Sequence, residues 1–284
     1  MRLIATIAIE RLALALSLLT ASAAQAADHV TWLVSELAPR FIYEGPLKGH
    51  GYGDEQIAYL QSRLPQFEHG IVSATIARAL YELAHTDNSC LLTLTRTPER
   101  AETLLFSARP VRTPSSKIIV KQARVKEFSA FLDGEGAVDL SRLATSDSWR
   151  GGYVAARHTG GPMQEFIAAA DRKARMEKAM SVDALLRLLA RDRIDFVFAS
   201  YLEALYEETT LHLDGVFTAL TISGSDDHAD LRVACSNSPL GKSVIASIDA
   251  LLASDERWRE FLQPLKRWLT PADFARAVER KPDP

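Results

Sequence analysis

Arg100, with Thr95 and Thr97 just before it, is the side-chain group most able to do chemistry. A planar guanidinium grips a carboxylate through two parallel hydrogen bonds. Thr97 can cap a short helix and Pro98 can start it, which would hold Arg100 at a defined place. The competing role is a surface ion pair with Glu99 or Glu102. Thr159-Gly160-Gly161-Pro162 is a second candidate. Free N–H groups at a helix start attract anions, although the same residues can serve as a plain cap. Arg157 and His158 precede it, and Arg157 could meet a second anionic group or lie in solvent. Glu36, Phe41 and Ser200 complete the set of candidates.

Several chemistries find no motif. There is no G-x-x-x-x-G-K-[ST] loop, no G-x-S-x-G elbow and no H-E-x-x-H pair. Asp226, Asp227, His228 and Asp230 could ligate a metal, but a solvated loop lacks the elements to fix a geometry, so none is expected. Gly49-His50-Gly51-Tyr52-Gly53 lacks G-x-G-x-x-G spacing and reads as a flexible turn before a helix at Asp54. No cofactor is expected.

These side chains need elements to place them. Val30–Val34, Leu91–Leu94, Ile118–Val120, Tyr153–Ala156, Ile194–Ala199 and Leu231–Ala234 read as short strands. Helical spacing is seen over 54–64, 72–84, 162 onward, 181–189, 243–252 and 255–268, with a last helix capped by Thr270. Alternating strands and helices predict an α/β protein with mostly parallel sheets. In such sheets ligands sit beyond the carboxyl ends of the strands. Those ends are Ser35-Glu36, Thr95, Arg157 to Gly160 and Ser200-Tyr201. Turn formers at 109–116 and 223–230 divide the chain as two crossings between two lobes would.

The 284 residues are 47% hydrophobic and 24% charged, with a net charge of -3, which fits a soluble globular protein and not a polytopic membrane protein. No bulk basic field is present, so no nucleic-acid partner is expected. Residues 1–26 read as a cleavable signal peptide: Arg2 and Arg11, an apolar core at 12–19, then Ala24-Gln25-Ala26. Export would carry Cys90 and Cys235 into an oxidising compartment, where either a disulfide or two buried thiols is open.

Thr95-Arg-Thr-Pro-Glu-Arg100, followed by Phe106-Ser107 and Pro110, resembles the T-x-T-x-x-R…F-S-x-x-[PY] signature of the family 3 extracellular solute-binding proteins. Gly51-Tyr52-Gly53-Asp54 resembles that family's G-[FY]-x-x-D helix start, and Arg193-Ile194-Asp195 its entry to a second-lobe strand. The resemblance implies the type II periplasmic binding protein fold, with lobe 1 over 27–112, lobe 2 over 113–231 and a return to lobe 1 over 232–284. It further implies a periplasmic monomer that traps a solute by hinge closure and delivers it to an ABC-type permease or a membrane receptor. Thr95 and Arg100 match residues that hold the ligand carboxylate, Phe41 a residue that packs on the ligand, and His158-Thr159 a loop that adds hydrogen bonds. One departure is visible. Amino-acid binders of the family place an acid for the ammonium group where this chain has Ser200; Glu36 is the substitute on offer. The expected ligand is therefore a small carboxylate, not necessarily an α-amino acid. A dehydratase-like enzyme on this fold would need Glu36 or His158 as its acid or base.

Overall fold

The computed structural model describes residues 28–155, 157, 161–171, 175–213 and 215–279. The expected signal peptide, His158 and Thr159 lie outside them. The chain starts with β1 (Asp28–Val34), α1 (Tyr52–Arg63), β2 (Phe67–Ser73), α2 (Ile76–His85), β3 (Ser89–Thr95), α3 (Pro98–Thr103), β4 (Leu104–Phe106) and β5 (Val111–Pro114). A second set follows: β6 (Ser116–Lys121), a 3-10 segment at Gln122–Phe131, α4 (Leu140–Thr145), β7 (Gly151–Val154), α5 (Gly161–Asp171), β8 (Met176–Ala179), α6 (Val182–Ala190), β9 (Phe196–Ser200), α7 (Tyr201–Thr210) and β10 (Phe217–Leu220). The chain then returns through β11 (His228–Ser236), α8 (Pro239–Leu251), α9 (Asp255–Leu262), a 3-10 turn at Gln263–Arg267 and α10 (Pro271–Val278).

Two sheets result, in the orders β2-β1-β3-β11-β4, with β5 also on β11, and β10-β6-β9-β7-β8. Strands joined by helices pair in parallel: β1 with β2 and β3, and β7 with β8 and β9. Strands at the crossings pair antiparallel: β11 with β3, β4 and β5, and β6 with β9 and β10. Each lobe is thus a mixed sheet. Parallel pairing needs a crossover helix, whereas a chain arriving from the other lobe enters from the opposite end.

The chain changes lobe at Ser115 and again between Leu220 and His228. These points differ from the expected changeovers after 112 and 231. The reason is the β5–β11 ladder, which pairs Thr113 with Ala229 and Pro114 with His228 and so keeps both segments in the first sheet. The acidic loop is tied to the crossings: Ser115 N–H donates to Asp227 O at 2.9 Å, and Lys117 Nζ to Asp227 Oδ1 at 2.8 Å. Arg112 pairs with Asp230 at 3.1 Å.

Local chemistry explains most elements. In α6 the buried Val182, Leu185, Leu186 and Leu189 make one stripe at helical spacing, and the Ser181 side chain accepts from Ala184 N–H. Thr270 caps α10 by accepting from Asp273 N–H. The span 72–84 is not one helix. Val72 belongs to β2, an edge strand on which Ile71 and Val72 stay exposed, so no burial alternation marks it. The first lobe closes on Trp32, Trp258, Phe261 and Leu262, and the second on Phe128, Phe196 and Phe198 and on the α6 stripe.

Cys90 and Cys235 form a disulfide across the antiparallel β3–β11 pair, bridging a sequence separation of 145 residues. It clips the returning strand to the strand that carries Thr95. Restricting so long a loop in the unfolded chain is expected to stabilise by about 2–4 kcal/mol. Chemical denaturation with and without reductant checks this; an unchanged midpoint in the Cys90→Ser/Cys235→Ser variant would contradict it.

Candidate functional site

A cavity of about 180 Å³ lies between the lobes at the strand ends. Thr95, Arg100 and Phe41 border it from the first lobe, and Arg157 and Ser200 from the second. Glu36 does not. It is exposed and borders a second crevice of about 850 Å³, which is lined by the 36–47 loop, the start of α6, α7 and Trp268 and shares Leu37, Leu202 and Glu203 with the first. Ser35 borders only the first cavity, Glu36 only the second, and Leu37 both.

Arg100 is positioned by its own segment. Thr97 Oγ1 accepts from Arg100 N–H at 3.3 Å, and Pro98 opens α3. One terminal N–H then donates to Thr95 O at 2.9 Å. The guanidinium is half-buried. Burial pushes its pKa down, and the Glu99 charge partly opposes this. Among the described residues no carboxylate forms an ion pair with Arg100, so Glu99 and Glu102 do not take the competing role.

Arg157 is engaged from within its own lobe. Its two terminal nitrogens donate to Glu203 at 2.8 and 2.7 Å, a bidentate pair with side-chain exposures of 15% and 8%. Glu203 Oε2 also accepts from Ser200 N–H at 2.9 Å, while Ser200 Oγ accepts from Leu202 N–H at 3.3 Å. Ser200 and Glu203 thereby make a capping box at the start of α7. Burial opposes both charges, but each is outweighed by the facing partner and its hydrogen bonds. Glu203 ends below the usual carboxylate value and Arg157 above the usual guanidinium value.

Two residues that the pattern reading passed over also border the cavity. Arg40 Nε donates to Tyr52 Oη at 2.8 Å, and its Nη1 donates to Thr93 Oγ1 at 2.9 Å. Its guanidinium sits 5.6 Å from the Tyr52 ring centre. The Gly49–Gly53 stretch, expected as a flexible turn, is instead the seat of this loop. Gly53 N–H donates to Arg40 O at 2.8 Å, and Asp54 accepts from Ile42 N–H and Gly51 N–H at 3.1 and 3.0 Å. A Cβ on Gly51 would meet Arg40 O at 2.3 Å, and one on Gly53 would meet the Phe41 ring at 2.8 Å. Glycine is needed there for close approach.

Solved structures share this architecture. A Streptococcus pneumoniae amino acid ABC transporter substrate-binding protein bound to L-arginine is 17% identical over 89% of this chain and 95% of its own, at TM-score 0.59. A periplasmic binding protein of an arginine transport system from Legionella pneumophila is 14% identical over 85% and 100%, at 0.61. A histidine kinase sensor domain with similarity to periplasmic binding proteins is 15% identical over 85% and 96%, at 0.65. At such identities the likeness defines the fold, the two-lobed type II periplasmic binding protein architecture. No protein-family model and no curated protein matches the chain.

Removing one member of a buried pair strands the other. Arg157→Met or Glu203→Gln should each cost about 3–5 kcal/mol of stability, and the double variant less than their sum. Urea denaturation of the three variants measures this, and strict additivity would contradict it. Glu203 titrates lower in the folded than in the unfolded chain. Its stabilisation is therefore complete above the unfolded value of about 4.3 and lost as pH falls through the folded value. The acid midpoint of Glu203→Gln should show a correspondingly weaker slope below that pH.

Proposed function

We propose that this protein is a periplasmic solute-binding protein that captures a small carboxylate between its lobes by hinge closure and presents it to a membrane importer. One observation carries the reading. Arg100 stands half-buried at the cleft, aimed by Thr95 and Thr97, with no counter-ion among the described residues. A solute carboxylate would supply that charge through two hydrogen bonds. The disulfide supports an oxidising compartment. No helix among the described residues is long and apolar enough to cross a membrane.

The reading is non-enzymatic. Of the acids and bases weighed for an enzyme, Glu36 borders the other crevice and His158 lies outside the described residues, while Glu203 in the cleft is locked by Arg157 and Ser200. Sensing for a membrane receptor is the second reading, favoured by the fit to the kinase sensor domain. Both use the same cleft, and the membrane protein that co-purifies with the loaded form separates them.

Arg100→Ala should weaken carboxylate binding by about 3–5 kcal/mol in calorimetry. An unchanged dissociation constant would remove Arg100 from the site. A bound solute at about 100 times its dissociation constant should add roughly 2.7 kcal/mol of stability to the native protein, read as a thermal shift that Arg100→Ala does not show.

A further inference from the structure

We propose that the cleft is built for a small organic dianion, a dicarboxylate of about four or five carbons, and that the Arg157–Glu203 pair excludes an ammonium group. This rests on the carboxylate-binding reading above. Three guanidinium groups border the cavity, those of Arg40, Arg100 and Arg157, against the single carboxylate of Glu203.

Glu203 has both oxygens taken by Arg157, and one of them also accepts from Ser200 N–H. An incoming ammonium would meet an acid already neutralised and would sit among three cations. A buried charge so placed has no partner to offset its lost hydration. The acid that Ser200 lacks is present three residues later, but it is spent inside the protein.

After that pairing, two positive charges remain for a ligand. Arg100 uses one of its five N–H donors on Thr95 O. Arg40 uses Nε on Tyr52 and one N–H of Nη1 on Thr93, which fixes the fork and leaves its other donors. Arg40 feels the Glu203 charge, yet forms no ion pair among the described residues. Two held forks in one cavity match two carboxylates, each able to accept a parallel pair of hydrogen bonds.

Size and walls narrow the class. The cavity of about 180 Å³ is smaller than the roughly 300–1,000 Å³ of drug-sized sites, which suits a short-chain diacid. Phe41, Leu80 and Leu231 supply apolar wall. A carbon skeleton satisfies that wall, whereas inorganic phosphate does not.

Calorimetry on the folded chain with matched pairs tests the proposal: succinate against L-aspartate and glutarate against L-glutamate, which differ by the ammonium group, with butyrate and inorganic phosphate alongside. Each desamino acid should bind at least about tenfold tighter than its amino acid. Arg40→Met should weaken succinate at least about tenfold while changing butyrate less than about twofold. If that variant does not fold, the matched pairs on the native protein decide alone. An amino acid that binds as tightly as its desamino partner overturns the proposal and leaves carboxylate capture standing. So does phosphate binding tighter than succinate, or an unchanged succinate affinity in folded Arg40→Met. Failure of every carboxylate, butyrate included, overturns carboxylate capture itself.

Discussion

A guanidinium taken halfway out of water, with no ion-pair partner among the described residues, is the constraint on which this molecule turns. Desolvation penalises the Arg100 charge, and nearby Glu99 offsets it only in part. Local chemistry nevertheless holds the group there. A threonine cap, a proline at the first helical position and a carbonyl at the end of β3 fix its place. Structure that maintains an unsatisfied cation beside a cavity stores a preference for an anion, because an arriving carboxylate relieves a penalty already present. The Thr97 cap and Thr95 O hold the donors in place beforehand, and preorganisation of this kind raises affinity by lowering the ordering cost.

The second lobe brings the opposite solution to the same problem. Arg157 is more deeply placed than Arg100 and has its acid built in. The start of α7 organises that half of the cleft through three neighbouring residues. Ser200 caps the helix, Leu202 packs into the first-lobe core, and Glu203 meets Arg157. One turn further on, Tyr206 lies 6.0 Å from Trp268 of the first lobe, ring centre to ring centre. Opening at the crossings would pull Leu202 and Tyr206 away from the first lobe while the Arg157–Glu203 pair, internal to the second, travels intact. If the lobes close on a solute as proposed, these apolar contacts are the part that can be made and broken. The ion pair is a fixed wall.

Much of the fold was legible in residue patterns, since strong caps and apolar stripes act locally. Ser181, Thr270 and the α6 leucines stand where the pattern places them. Edge strand β2 was not legible, because an edge need not bury alternate residues. For the cleft, the Thr95–Arg100 segment could be read because its cap and proline adjoin the guanidinium that they position. Glu203 could have been found: Ser200 followed three residues later by Glu is a capping-box signature, and it announces both α7 and the acid. Arg40 had no such signal. Its placement depends on Gly51 and Gly53 of a later segment letting the 37–41 loop settle on α1, a long-range fit that no local spacing encodes. Glu36 was misplaced for a similar reason. Glu36 lies past the end of β1, where no strand alternation dictates which of two neighbours faces the cleft.

A crystal structure of the native protein grown with saturating succinate addresses the central claim most directly. Carboxylate density gripped by the Arg100 fork, between closed lobes, is the predicted result. Arg100 turned to bulk solvent, or succinate seated anywhere but that cavity, would contradict it.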